Sequence, residues 1–340
     1  MTTPPVTPTR SDRLALIGEI ENDLNTRILV LITGNRQGME ARIAGDAFLP
    51  VFNKLSEIGL QESICLFLYS MGGITMDAFG LVNLIREFCD SFEVIVPFRA
   101  LSAATLMCLG GDKIVMTRLA QLGPVDPSVE SPLGPQVQLP QQPGVAQLVP
   151  VNVEDAVSFI DFAKKEANLK QDESLAGVFD RLATSVHPLA LGAVNRAREQ
   201  IRFLARQLLS SHMKDEKKIE LIISAVTKER FSHNYLIGRR EAKEVLGLNL
   251  EDVAPPVEER IIRLFNMYER LLSLSVPYNQ EMVLGPNQTV TATFDRGVIE
   301  TTHGDSFVYR TVRQITRITT PTVGYQETTL REGWISDANI

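Results

Sequence analysis

Apolar residues in this chain fall into short, nearly unbroken runs separated by longer stretches of helical periodicity. Arg27-Ile28-Leu29-Val30-Leu31-Ile32-Thr33, Ile64-Cys65-Leu66-Phe67-Leu68-Tyr69, Phe92-Glu93-Val94-Ile95-Val96 and Lys113-Ile114-Val115-Met116 are too short for helices. They carry almost no polar alternation, so they read as strands buried on both faces. Between them, residues 46–58 place Phe48, Val51, Phe52 and Leu55 at helical spacing, and 74–89 and 102–109 read as further helices. A helix over 11–25 precedes the first strand, with Ser11 as its expected N-cap. Strands alternating with helices predict an α/β domain with a parallel sheet covered on both sides.

The texture changes after residue 128. Residues 129–150 mix prolines and glutamines without periodicity, which predicts an irregular flexible loop, either a flap over a groove or a surface insertion. Helices are expected over 153–169, 187–211 and 214–225. Arg196, Arg198, Arg202 and Arg206 on the second make either a solvated face or a contact for an acidic partner. Pro255-Pro256 marks a boundary, followed by a helix from Glu258 to Leu274. Residues 289–294, 306–312 and 315–320 alternate like strands. The expected organisation is a disordered N-terminus over 1–10, a main domain over 11–255 and, over 256–340, a helix with a small β-rich appendage.

Composition narrows the function classes. The hydrophobic fraction of 44% is that of a globular chain. A net charge of −7 gives no bulk attraction to nucleic acid or an anionic membrane. No apolar stretch reaches the ~20 residues that cross a bilayer, and Met1-Thr2-Thr3-Pro4-Pro5 begins no hydrophobic signal core, so a cytoplasmic protein without membrane insertion is expected. Cys65, Cys89 and Cys108 lie inside apolar segments and read as small buried hydrophobes. No ligand spacing for a metal, no Gly-x-Gly-x-x-Gly turn and no Gly-x-x-x-x-Gly-Lys-Ser/Thr loop is found, so no metal, nicotinamide or other cofactor is expected, and any unfolding motor is a separate protein.

The candidate chemistry sits in three motifs in order: Ser70-Met71-Gly72-Gly73, Ser102-Ala103-Ala104-Thr105 and Leu122-Gly123-Pro124-Val125-Asp126-Pro127. A glycine pair after a buried strand lets the backbone turn sharply and aim an N–H at a carbonyl. A serine among small residues at the next strand–helix junction is the candidate nucleophile. With Asp112-Lys113-Ile114-Val115-Met116, His187-Pro188-Leu189-Ala190-Leu191-Gly192 and Ser232-His233-Asn234-Tyr235, these motifs resemble the serine dehydrogenase proteinase family, relatives of signal peptide peptidase A within the Clp/crotonase superfold. The resemblance spans about residues 25–255 and implies a spiral of ββα units, a homo-oligomer and a protein or peptide substrate.

By that resemblance Ser102 is the active-site serine, and Gly72, Gly73 and Ala103 form the oxyanion hole. The base departs from the pattern. Clp proteases place a histidine where Asp126 or Pro127 falls here, and signal peptide peptidases a lysine where Glu154 and Asp155 fall. His233 with Asp126 would form a triad with acid and imidazole exchanged in chain order, since triads are defined by geometry. His187 and a lysine, Lys164 or Lys165, are the alternatives. If none serves, the chain is a silent scaffold or sensor subunit. A crotonase-type acyl-CoA enzyme would use the same oxyanion geometry without a serine nucleophile. A regulatory partner and activation through the 129–150 loop stay open.

Overall fold

The computed structural model describes residues 9–125, 128–129, 133, 136–138, 146–148, 151–169, 171–227, 235–319 and 323–340. It divides into two compact units, Met1–Gly123 with Leu236–Ile340, and Pro124–Tyr235. The first begins with α1 (Arg10–Leu24), β1 (Arg27–Thr33), α2 (Phe48–Ile58), β2 (Gln61–Tyr69) and α3 (Thr75–Arg86). It continues through β3 (Cys89–Val96), β4 (Arg99–Ala100), α4 (Ala103–Leu109), β5 (Lys113–Met116) and β6 (Gln121–Leu122). The second unit holds β7 (Ser128–Val129), β8 (Gln136–Gln138), β9 (Ala146–Leu148), β10 (Val151–Asn152), α5 (Val153–Lys165), α6 (Asp172–Ser185), α7 (Pro188–Ser210) and α8 (Glu216–Thr227). The chain returns to the first unit with β11 (Ile237–Gly238), α9 (Arg239–Glu244), α10 (Pro255–Leu271), α11 (Gln280–Leu284), β12 (Thr289–Glu300), β13 (Ser306–Thr319) and β14 (Val323–Asp337).

The expected α/β architecture is present. A seven-stranded sheet runs β14-β13-β12-β1-β2-β3-β5, parallel from β1 to β5 and antiparallel from β1 outward through β12. Successive residues of a strand face opposite ways. Ile28, Val30, Ile32, Phe67 and Tyr69 therefore meet Leu16, Ile17 and Ile20 of α1 and Ile261, Leu264 and Tyr268 of α10 in one buried cluster. Leu29, Leu31, Leu66 and Leu68, also fully buried, serve the other face. The β-rich texture expected after residue 289 extends this sheet directly, and the helix after Pro255 belongs to the same core.

The spiral is visible in how the chain leaves each long strand. After β3 it makes the short β4 and then α4; after β2 it makes a single bridge at Ser70 and then α3. The short segments form a second layer, β11-β6-β4, with Ser70 bridged in parallel to Ala100. This layer sets the register of the two motif turns.

In the second unit, Arg202 and Arg206 of α7 pair with Glu220 of α8, and Arg206 also reaches Glu216 at 2.7 Å. Those arginines thus serve helix–helix packing within the unit. Much of 129–150, and residues 1–8, lie outside the described residues.

Candidate active site

The site is built on the parallel bridge between Ser70 and Ala100. Ser70 N donates to Arg99 O at 3.1 Å, and Leu101 N donates to Ser70 O at 3.0 Å. Two chains running side by side in the same direction turn just beyond this bridge, one at Gly72-Gly73 and the other at Ser102. The approach is close. A Cβ on Gly72, whose φ is +118°, would lie 2.8 Å from Ser102 Cβ and 3.3 Å from its Oγ. A Cβ on Gly73 would lie 2.1 Å from Ile43 O. Both glycines are therefore required by contact as well as by turn geometry.

Ile43 clamps the glycine turn from the far side. Its N–H donates to Gly72 O at 2.9 Å, and its carbonyl accepts from Ile74 N at 2.8 Å. The alternation of an extended chain then turns the Gly73 N–H away from Ile43. Among the described residues that N–H takes no acceptor, and neither does the N–H of Ala103. The Gly72 N–H is different: it donates to Ser70 Oγ at 3.0 Å. Of the three residues expected to line an oxyanion hole, Gly73 and Ala103 keep open amides, while the Gly72 amide is engaged.

Ser102 occupies an unusual conformation for a non-glycine residue, φ 52° and ψ −119°, and its side chain makes no capping bond to α4. A serine placed merely to cap a helix has an extended backbone and an engaged hydroxyl. Here the half-buried serine sits on a strained strand-to-helix turn and its hydroxyl makes no capping bond, the arrangement of a nucleophile turn. Glycine at this position is expected to be more stable than alanine by about 1 kcal/mol, the reverse of the ordinary order. Denaturant unfolding of Ser102→Gly and Ser102→Ala measures it, and an alanine variant at least as stable would show that the turn is unstrained.

Two buried hydroxyls that sequence reasoning missed hold the turns. Ser70 Oγ accepts from Thr33 Oγ1 at 2.7 Å and lies 3.2 Å from Gly72 O as donor. Thr105 Oγ1 lies 2.7 Å from Ala100 O and 2.8 Å from Gly123 O, and accepts from Gly123 N at 3.1 Å. It ties the start of α4 to the Leu122-Gly123 turn. The only sequence signal for either was a hydroxyl inside a motif.

His233 and Asp126 lie outside the described residues. His187 is exposed at the N-cap of α7, where its Nδ1 accepts from Leu189 N at 3.2 Å, a structural use. Lys164 and Lys165 are exposed on α5, and Lys165 pairs with Asp161 at 2.9 Å. Neither has the dry setting that a neutral lysine base needs. Lys113 bridges Glu93 at 3.1 Å and Glu251 at 3.3 Å, and the Glu93 hydrogen bond raises its pKa, so it stays charged. Burial pushes the Cys65 and Cys108 thiols well up and Cys89 to about 11, so none offers a thiolate at neutral pH.

Residues 50–175 match the family model of ClpP-like SDH-type serine proteinases. Two uncharacterised proteins of Methanocaldococcus jannaschii are similar in sequence. One is 27% identical over 270 residues, covering 76% of this chain and 79% of that protein. The other is 23% identical over 282 residues, covering 79% and 83%. Among solved structures, the ClpP protease catalytic domain from Plasmodium falciparum aligns over 74% of this chain and 96% of its own, with 11% identity and a TM-score of 0.36. A membrane-bound stomatin-specific protease aligns over 37% of this chain and 58% of its own, with 21% identity and a TM-score of 0.25.

Proposed function

We propose that this chain, whose residues 50–175 match the ClpP-like SDH-type serine proteinases, hydrolyses peptide bonds through an acyl-enzyme on Ser102. The observation that carries the reading is the placement of Ser102: positive φ, no capping bond, and the Gly72 turn against its side chain. Ser102 Oγ attacks the substrate carbonyl, and the Gly73 and Ala103 amides receive the oxyanion. Two donors about 2.7–3.1 Å from that oxygen meet the electrostatic demand of a tetrahedral intermediate. His233, oriented by Asp126, is the proposed base that takes the Ser102 proton and returns it to the leaving amine.

The substrate is a protein or peptide in extended form, laid beside the open edge of Gly73 by strand addition. Exposed Met71, Ile74 and Met76 flank that edge and favour apolar side chains there. A homo-oligomer is part of the proposal, supported by large exposed apolar side chains on the second unit's helices, Phe159, Phe162, Phe179 and Phe203 among them. The three free cysteines fit a reducing compartment, and we place the activity in the cytoplasm. No described helix is long and apolar enough to cross a membrane.

The test is fluorophosphonate labelling with the modified residue located by mass spectrometry. Modification at Ser102, absent in Ser102→Ala and slowed at least about 100-fold in His233→Ala, is expected. A folded protein that stays unlabelled would favour the scaffold reading. Labelling undiminished in His233→Ala would remove that residue as the base.

A further inference from the structure

We infer that Arg296, on the C-terminal β12 strand and far outside the segment matched by the family model, is a positioning residue for the oxyanion turn. The inference rests on the reading of Gly73 as an oxyanion donor. It starts from a bulge. The β12–β13 register shifts between Asp295 and Gly297, which makes Arg296 the extra residue of β12. Bulges re-aim a side chain and bend the strand away from ladder geometry. Here the bulged residue holds the loop after β1 at both ends.

Its carbonyl accepts from Gly34 N at 2.7 Å, and its guanidinium donates to Glu40 O. Gly34 is needed for the first contact, since a Cβ there would lie 2.8 Å from Arg296 O. The loop closes on itself through Ala41 N to Gly34 O at 2.8 Å. Three residues past Glu40 comes Ile43, the residue whose N–H and carbonyl clamp Gly72 and Ile74. The guanidinium is itself fixed. Its Nη1 reaches Thr311 Oγ1 at 2.8 Å and Glu332 Oε2 at 2.7 Å, and its plane sits 5.2 Å from the Tyr309 ring centre. Side chains from β13 and β14 thus hold Arg296, Arg296 holds the loop, and the loop holds the glycine turn.

The strength of this chain of contacts lies in its directness. The links that reach the loop and the glycine turn are hydrogen bonds to backbone, and the last one abuts the amide that must point at the substrate. A serine protease loses heavily when a reacting group moves by about 1 Å. The C-terminal strands therefore act as an outer brace of the site.

The experiment uses the full chain with Arg296→Met, which keeps the stem over Tyr309 but removes the donors, and Arg296→Lys. Two readouts are taken. Amide hydrogen exchange is followed in peptides covering residues 34–44 and 70–75, and the rate of fluorophosphonate labelling at Ser102 is measured on the same preparations. Arg296→Met is expected to speed exchange in both peptides while leaving β2 and β3 protected, and to slow labelling at least about tenfold. In any peptide assay kcat falls with KM nearly unchanged, because the donor acts on the oxyanion and little on the bound substrate. Arg296→Lys restores part of both effects. Unchanged exchange at 70–75 in Arg296→Met overturns the inference, as does accelerated exchange with labelling at the wild-type rate. If the wild-type protein itself is not labelled, accelerated exchange still upholds the brace, and it is the hydrolase reading that falls.

Discussion

Alanine at Gly73 lowers the rate of Ser102 labelling and of peptide hydrolysis by at least about 100-fold while leaving the main sheet folded. The added carbon would stand 2.1 Å from Ile43 O and 2.5 Å from Ile43 N. Both atoms belong to backbone, so no rotamer change relieves the clash and the bridge between Ile43 and Gly73 must open. Carbon and oxygen need roughly 3.3–3.6 Å at their closest, so the displacement is on the order of 1 Å. The Gly73 amide then no longer points where the oxyanion develops. Losing one such donor costs about 100- to 1,000-fold in kcat. Folding suffers less, because the seven-stranded sheet does not pass through Gly73 and Leu66, Phe67 and Leu68 stay buried. Circular dichroism, labelling rate and a kcat–KM split measured together check the prediction. Wild-type labelling by a folded Gly73→Ala protein would mean that the amide has no part in the chemistry.

Gly72 makes a useful contrast. Its amide already bonds Ser70 Oγ, so alanine there acts through the nucleophile, by pressing on Ser102 Cβ, rather than through a lost donor. The two glycines look equivalent in the motif and differ in the structure because of one buried hydroxyl.

That difference shows where the sequence was legible. The strands β1, β2, β3 and β5 could be read because their apolar runs are unbroken, and a doubly covered parallel strand leaves no room for polar alternation. The turns at Gly72-Gly73 and Ser102 could be read because glycine and serine at strand ends have few other uses. The α1 cap was misplaced from Thr9 to Ser11: the Thr9 hydroxyl and Asp12 form a reciprocal capping box, and a neighbouring serine looks the same in one dimension. β13 reads as two strands because Arg313 and Gln314 interrupt its apolar positions; the strand runs through them, and the extra residue of the β13–β14 irregularity there, Leu330, lies on β14. β14 escapes notice because Gln326, Glu327, Thr328, Thr329, Arg331 and Glu332 give a sheet edge no apolar face. α6 differs: Leu175, Val178, Phe179 and Leu182 stand at helical spacing, so its periodicity was there to be read, although the helix has no buried residue. The Thr33–Ser70 contact joins residues 37 positions apart, and no local pattern encodes such pairing.

A far longer pairing, across 287 positions, gives the largest stability prediction. Glu300, at the end of β12, is fully buried and receives Arg13 Nε at 2.8 Å and Nη2 at 3.2 Å from α1. Ser306 Oγ donates to it at 2.6 Å, and the Tyr268 hydroxyl of α10 donates as well. Burial works to lower the Arg13 pKa, but the hydrogen bonds and charge of Glu300 outweigh it and leave it raised, so the guanidinium stays charged. One carboxylate therefore joins α1, α10 and the C-terminal strands to the sheet core. Glu300→Ala leaves the Arg13 guanidinium buried without its counter-charge and is expected to destabilise this unit by about 3–5 kcal/mol. Arg13→Met does the same to Glu300. The double variant Arg13→Met/Glu300→Leu recovers most of the loss, because an apolar pair of similar volume has no charge to desolvate. Denaturant titrations of the two single variants and the double close the cycle and isolate the coupling. A double variant that is as unstable as the sum of the singles would show that shape, and not charge pairing, makes this junction; single variants within 1 kcal/mol of the wild type would show that water reaches the pair and screens it.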